Sequence, residues 1–482
     1  MKNIILISLL SITFISNAQT TNIPDVNFEL ALISLGHDTG PTNGSVPTAN
    51  ISGIASLNLF NQNISDLTGI EDFVALEYLN CSGNTLTSLS VTQNTALTEL
   101  YCNVNNLSSL DLTQNTGLIR LNVAGNDLTS LDLSQNNNLI HVNVYLNNLG
   151  NLNVSNLTNL ISLRTSYNPI NTLDVSANGN LDTLYCEANG LSVLNVSNNT
   201  NLVLLNCAGN DLTTLDLLSS TQLTFLSCYD NDITSLNLSN STQLTSLFCW
   251  LNQLTALDVS NNALLVNLSC MNNMISSLDV SFNPNLENLR CSDNLITSLD
   301  LNQNPNLETI ECQQNNISSL NISGNPFVWV VKCYDNSLTC LNVKNGNNFN
   351  MYNGGFDCTG NTSLSCIEVD NVNHSTLNWF NIPVTATYSV DCDNPCSTVV
   401  GLSENVSDQN NEMKIFPNPT AGVFQLSGIL DFERIEVIDL NGKIVFSSTK
   451  DGVFDVSWLE SGNYLINVYS AASVSRRMLN KL

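Results

Sequence analysis

The sequence predicts a mainly β chain: a solenoid of short stacked coils with a parallel sheet along its concave wall, followed by a small β-sandwich. Three observations lead there. An apolar position recurs every 21 residues at Leu76, Leu97, Leu118, Leu139, Leu160, Leu181, Leu202, Leu223, Leu244, Leu265, Leu286, Leu307 and Val328. Within each copy further apolar residues fall 3, 5, 10, 13 and 15 positions later, as Leu247, Cys249, Leu254, Leu257 and Val259 follow Leu244; this is neither a helical period nor a simple strand alternation. From Lys414 onward the pattern becomes alternating strands broken by Asn-Gly and Ser-Gly turns. A fixed period repeated this often marks a solenoid, because one coil cannot bury its apolar faces alone and becomes stable only against its neighbours. Parallel pairing sets the coil spacing at about 4.8 Å.

The elements follow in chain order. Residues 1–18 carry Lys2, an apolar run from Ile4 to Ile15 and small residues at Ser16 and Ala18, the pattern of a secretory signal peptide cut before Gln19; the run is too short for a membrane span of about 20 residues. Residues 19–53 precede the repeat and are expected to form an N-terminal cap with one helix, opened by Pro24 and Asp25 and stopped at Gly36. A lid is needed because an open solenoid end exposes core and unpaired strand edge. Repeats are expected over 54–369, with an insertion at Phe349 to Gly360 and a closing segment at Leu364 to Val369. A C-terminal cap over 370–400, with short extended segments pairing to the last coil, a polar linker over 401–412 and the β-sandwich over 413–482 complete the chain.

Within each copy an Asn stands eight positions after the leading residue: Asn84, Asn105, Asn126, Asn147, Asn168, Asn189, Asn210, Asn231, Asn252, Asn273, Asn294, Asn315 and Asn336. The combined pattern, LxxLxCxxNxL followed by xxLDLSxNT, resembles a leucine-rich repeat in a short 21-residue bacterial form. The resemblance implies a gently curved coil whose concave sheet is built from segments such as Ser246 to Cys249. It also implies that each Asn turns inward to bond backbone groups that water cannot reach. The second half of each copy, for example Ala256 to Ser260, should run extended along the opposite face without helix. In the tail, Pro417-Asn418-Pro419, Asp439 with Asn441-Gly442-Lys443, Gly462-Asn463-Tyr464 and a basic ending resemble the C-terminal sorting domain of the bacterial type IX secretion system. That resemblance implies export to the periplasm, passage of the outer membrane through the type IX machinery, and a product on the cell surface or released.

Composition narrows the function classes. A formal net charge of -28 repels phosphate backbones and argues against nucleic acid. Much of the acid forms a row on the face opposite the sheet, Asp111, Asp132, Asp174, Asp216, Asp258, Asp279 and Asp300, read as a solvated face that keeps the protein soluble, with attraction of divalent cations the alternative. Ten of the fifteen cysteines, Cys81, Cys102, Cys186, Cys207, Cys228, Cys249, Cys270, Cys291, Cys312 and Cys333, hold one inward strand position that Val123 and Val144 fill in other copies. They act as small apolar side chains and are expected to stay reduced, since neighbouring side chains in parallel register point the same way. Cys340, Cys358, Cys366, Cys392 and Cys396 lie off that row, and Cys366 with Cys392 is the expected disulfide at the lid. His37, His141 and His374 are the only histidines and have no metal-ligand spacing; no metal or cofactor is expected. No phosphate loop, HExxH helix or nucleophile motif is present, so no catalytic residues are assigned.

What remains is the concave wall, where residues two, four and six positions after each leading residue point outward. Phe225, Tyr229, Phe248, Trp250 and Met271 fall on three adjacent coils, with Tyr185 two coils from Phe225 and Tyr145, Tyr167 and Tyr101 trailing toward the N-terminus. The expectation is one exposed apolar patch that captures an extracellular protein or glycan. The chain thus reads as a secreted or surface binding protein, an adhesin among the options. The alternative is a secreted hydrolase or its accessory, which would need a paired-carboxylate cleft that the regular tiling leaves no insertion large enough to build.

Overall fold

The computed structural model describes residues 19–351, 354–392 and 396, and in the tail 414–416, 423–427, 433–438, 443–449, 453–460, 462–469 and 474–481. The expected signal peptide at 1–18, the linker at 401–412 and the residues Pro417, Asn418, Pro419, Asp439, Asn441 and Gly442 lie outside the described residues. The chain divides into two compact units, Met1–Thr398 and Val399–Leu482.

The first unit is a solenoid whose inner wall is a parallel sheet of fifteen strands running from Ser56–Asn58 to Phe356–Asp357. The 21-residue step sets the register: Leu226 lies beside Leu247 and Leu247 beside Leu268 in the strands Phe225–Ser227, Ser246–Phe248 and Asn267–Ser269. Equivalent leucines therefore stack in a continuous buried column, while the residues on either side of each leucine face outward. These strands are only three residues long, because the chain turns sharply just before each ladder Asn. The residue before that Asn has positive φ in copy after copy, and it is not reserved for glycine: Gly125 and Gly209 are joined by Val104 (φ 56°), Leu146 (54°), Tyr167 (59°) and Leu251 (51°).

On the opposite face the second half of each copy carries no helix and keeps an in-out alternation, with Leu257 and Val259 buried and Asp258 exposed. Among the described residues pairing there is limited to a single bridge between Ser90 and Asp111 and to the C-terminal end, where Ser319–Asn321, Cys340–Asn342, Cys366–Glu368 and Thr387–Ser389 form a four-stranded parallel sheet. Elsewhere the coils are joined by side chains, which add a second donor to carbonyls that already accept a backbone N–H. Asn94, Asn115, Asn136, Asn178, Asn199, Asn262, Asn283, Asn304 and Asn325 form a second buried row. In it Asn115, for instance, donates to the carbonyls of Val91 and Asn94 on the preceding coil. Ser220, Ser241 and the apolar Leu157 take the same place in other copies.

At the N-terminal end helix α1 (Val26–Ser34) is capped by Asp25, whose Oδ1 accepts from the N–H groups of Asn27 and Phe28. Its Oδ2 accepts from Ser65 and Asp66 of the first coil, so one carboxylate both starts the helix and fastens it to the solenoid. Phe28 stacks on Phe73 at 6.2 Å. Gly69 (φ 103°) allows the closest approach, since a Cβ there would lie 2.5 Å from the Asn22 carbonyl oxygen. A second, four-residue helix, α2 (Thr48–Ile51), was not expected.

The C-terminal cap likewise contains an unforeseen helix, α3 (Val372–Asn378), capped by Asn371. It leads into Trp379, which is buried, stacks on Phe356 at 4.4 Å and donates its indole N–H to the Met351 carbonyl. The strand Thr387–Ser389 then pairs with Cys366–Glu368. Cys366 is bonded to Cys392, and a second disulfide, Cys340 to Cys396, holds the same edge.

In the second unit Lys414–Phe416, Val423–Ser427 and Val453–Asp455 form one antiparallel sheet, and Ile444–Ser448, Arg434–Ile438, Gly462–Tyr469 and Val474–Lys481 another. Phe424, Ile435, Val437, Phe454, Ile466 and Leu479 form its core.

Candidate functional site: the concave wall

The aromatic residues expected on the concave wall are brought together there, in a different form from the open patch anticipated. Phe225, Tyr229, Phe248, Trp250, Met271 and Tyr185 are all half-buried rather than exposed, because diagonal neighbours about one strand spacing apart fill the space between them. Tyr229 and Trp250 stack face to face, 4.2 Å between centroids and 7° between planes, and Phe225 packs against Phe248 at 5.5 Å. Tyr185 is set apart: the guanidinium of Arg164 lies over its ring at 4.7 Å.

One residue that organises this wall was missed. Glu187 accepts a hydrogen bond from the Tyr229 hydroxyl at 2.9 Å, from the Tyr167 hydroxyl at 3.1 Å and from the Asn206 amide at 3.1 Å. The Tyr229 bond skips a coil, passing over the small, buried Ala208. Burial first, and then the bond to Glu187 with its charge, push the Tyr229 phenol up to about 12, so it remains a donor at any physiological pH. Tyr145 packs edge-on against Tyr167 at 5.5 Å. A continuous chain of contacts, Tyr145–Tyr167–Glu187–Tyr229–Trp250, therefore crosses six coils and fixes the rings in place.

Behind the wall the first Asn row shows how the coil turn is built. Asn231 donates through Nδ2 to the carbonyls of Cys207, Cys228 and Tyr229 and accepts at Oδ1 from the Leu212 N–H. Asn84, Asn105, Asn126, Asn147, Asn168, Asn210, Asn252, Asn273, Asn294, Asn315 and Asn336 repeat the donation to carbonyls on their own and the preceding coil. Asn189 donates to the Thr165 hydroxyl instead, where Thr165 stands in the cysteine column. Asn361 extends the row beyond the insertion.

The ten column cysteines are buried and free, and Cys358 is an eleventh member. The expectation that Cys358 lay off the column is corrected: the insertion places it 25 residues after Cys333 instead of 21, and the strand Phe356–Asp357 restores its register. Burial drives these thiols away from ionisation, Cys228 and Cys270 up to about 12, so the column is packing rather than chemistry.

The acidic row is local structure. Asp111, Asp132, Asp174, Asp216, Asp258, Asp279 and Asp300 each accept, through Oδ1, the N–H two residues later. Asn153, Asn195 and Asn237 do the same in intervening copies, which explains the interchange, since only the acceptor oxygen is needed. The bond from Thr113 holds Asp111 below the usual carboxylate range. Among the described residues no group of three or more His, Cys, Asp or Glu is placed to hold a metal ion, and no helix is long and apolar enough to cross a membrane.

Comparison with known proteins agrees with this architecture. Residues 414–480 match the family described as secretion system C-terminal sorting domain. Among solved structures the chain is similar to the functional domain of InlJ from Listeria monocytogenes, which includes a cysteine ladder. Identity there is 28%, with 96% of this chain and 99% of that one covered and a TM-score of 0.68. It shares its fold with the internalin InlF of Listeria monocytogenes at 23% identity, covering 70% and 95% of the two chains with a TM-score of 0.55. A leucine-rich-repeat protein of Leptospira interrogans matches at 22%, covering 71% and 93%, also with a TM-score of 0.55. No curated protein matches by sequence. The chain thus has the leucine-rich-repeat solenoid fold, built of 21-residue coils, and ends in a type IX sorting domain, which indicates a secreted or outer-surface protein.

Proposed function

We propose that this protein is a non-catalytic binding protein of the cell exterior, exported by signal-peptide cleavage and then through its sorting domain, and that it captures a protein partner on the concave wall between Tyr145 and Met271. The observation that carries the reading is the Tyr167–Glu187–Tyr229–Trp250 array. Interface energy concentrates in a few aromatic anchors, and anchors already held in one rotamer lose little entropy on binding. Here a stacked pair and two phenols pinned to one carboxylate present ring faces that need no rearrangement. The dense regular tiling on either side supplies a broad flat surround, and adhesion to a neighbouring cell or matrix is the fitting role. The test is partner capture by the immobilised secreted chain, wild type against Trp250→Ala. Loss of the ring should weaken capture by about 2 kcal/mol or more, and equal capture by the two would remove the aromatic array from the account.

A further inference from the structure

The solenoid is nearly devoid of positive charge, and what little it has is not scattered. Between residues 19 and 398 there are five Lys and Arg, namely Arg120, Arg164, Arg290, Lys332 and Lys344. Arg290 and Lys332 share Glu311 at 3.2 and 2.8 Å, and Lys344 lies 3.8 Å from Glu368. The other two stand close together on the concave wall with His141 between them. Arg120 lies beside His141 on adjacent strands, and Asn143 lies beside Arg164 on the next pair, each step about 4.8 Å. Arg120 reaches its nearest carboxylate, Glu99, only at 3.8 Å, and Glu99 is already engaged by the Tyr101 hydroxyl. Among the described residues Arg164 has no carboxylate within 4 Å; the Tyr185 ring beneath it orients the guanidinium without neutralising it.

These side chains line a depression of about 310 Å³ together with Tyr101, Asn122, Asn143 and Ser162. Its polar groups are two guanidiniums, an imidazole, two amides and two hydroxyls, set among the carbon surface of the Tyr101 ring, Leu121, Val142 and the arginine stems, so that polar and apolar surface are about evenly mixed. In a chain of net charge -28 this is the place on the wall where two guanidiniums stand together, with Glu99 beside Arg120 and Asp182 near enough to act on His141. Their free N–H groups are donors for an anion that bridges the two arginines. Guanidiniums match the planar or tetrahedral oxygens of carboxylate and sulfate through paired N–H donors. The amides and hydroxyls between them offer both donors and acceptors to neutral hydroxyl groups. An acidic peptide would offer the same carboxylates without a ring of hydroxyl groups for the amides, and it is the competing occupant in the test below.

We propose that the wall around Arg120, His141 and Arg164 is a binding site for an acidic saccharide, a sugar ring bearing a carboxylate or a sulfate ester. The site shares the coils of Tyr145 and Tyr167 with the N-terminal end of the aromatic array but uses different side chains, and it lies four coils from Trp250. The experiment is calorimetric titration of the full secreted chain with four probes: an oligogalacturonate tetramer, a sulfated galactan tetramer, a neutral galactan tetramer and a Glu-rich peptide of equal charge. The proposal expects at least one acidic tetramer to bind ten times or more tighter than the neutral one. It also expects that preference to fall at least tenfold in both Arg120→Gln and Arg164→Gln while persisting in Lys332→Gln, a distant charge control. Which tetramer binds distinguishes carboxylate from sulfate. Equal binding of acidic and neutral tetramers, an unchanged preference in the two arginine variants, loss in the Lys332 control as well, or tighter binding of the peptide than of either acidic tetramer would each overturn it. Because Trp250→Ala leaves this site intact, failure here and failure of the aromatic array are separable.

Discussion

The two buried Asn rows look alike in sequence, yet the structure gives them different energetic roles, and paired substitutions separate the two. Asn231→Leu removes the acceptor of the Leu212 N–H, which has no other partner among the described residues, and three donations to carbonyls. Those carbonyls keep a second donor each: Asn210 on Cys207, Asn252 on Cys228 and the Gly209 N–H on Tyr229. The cost is therefore dominated by one orphaned, buried N–H, about 1–3 kcal/mol, plus a smaller loss from the shared bonds; about 2–4 kcal/mol in all is expected. Asn262→Leu on the opposite face orphans nothing. The carbonyls it serves, Leu238 and Ser241, also accept from the Ser241 and Leu244 N–H groups, and its own Oδ1 is unpartnered. Leu157 already occupies that place in one copy. The expected cost is about 1 kcal/mol or less, since one buried carbonyl oxygen without a partner is removed along with two shared bonds. Urea unfolding of the two variants, with native-state hydrogen exchange over the altered coil because long repeat arrays need not unfold in one step, measures the difference. Equal costs would refute the assignment of which amide group holds the turn.

Further outcomes are expected. Eleven free cysteines beside two disulfides require eleven reactive thiols in the unfolded, unreduced protein and none in the folded one; a count near zero after unfolding would show the column oxidised. Val104 is β-branched, 61% exposed and held at φ 56°, a conformation costing about 1–2 kcal/mol for an L residue. Val104→Gly should accordingly raise the urea midpoint despite the flexibility it adds to the unfolded chain, and a lowered midpoint would contradict the strain argument. His141 is held below its ordinary 6.5, first by partial burial and then by Arg120, against the opposing pull of Asp182 and Glu99, with Arg164 the remaining charge on the next coil. A lowered value means the imidazole is neutral at pH 7 and gains its proton only below 6.5. Acidic-saccharide affinity should then rise as pH falls through that range, and His141→Gln should flatten the profile.

How much of this was legible in the sequence follows from how far each interaction reaches. The 21-residue period writes the solenoid out directly, since register, buried column and Asn row are all the same step repeated. Whatever breaks the step was hidden. The insertion put Cys358 and Asn361 out of the 21-residue step although both keep their places in the column and the row. Cys340 belongs to the outer sheet, so its bond to Cys396 had no counterpart in the repeat, whereas Cys366 and Cys392 were already set apart by their position at the lid. Helix α3 gave no periodic signal over its seven residues. The second Asn row stood in the SxNT motif, but nothing in the spacing says that an Asn between a Ser and a Thr turns inward rather than capping an exposed turn. Glu187 was invisible for another reason: its role depends on Tyr229 reaching across 42 residues over an alanine, a relation between three particular copies rather than a property of the repeat. The aromatic residues could be placed on the correct face, but their pairing, and hence their half-burial, depends on ring sizes on adjoining strands.

The central claim is that a stacked-coil wall is delivered outside the cell with its concave face open, and labelling of intact cells tests it most directly. Arg164 is exposed on that face, and every column thiol is buried. A membrane-impermeant maleimide applied to intact cells and their medium should therefore label the Arg164→Cys variant strongly and the wild type hardly at all, and deletion of residues 413–482 should abolish the signal. Labelling of the wild type to the same extent, or labelling of the variant only after the outer membrane is permeabilised, would contradict the account.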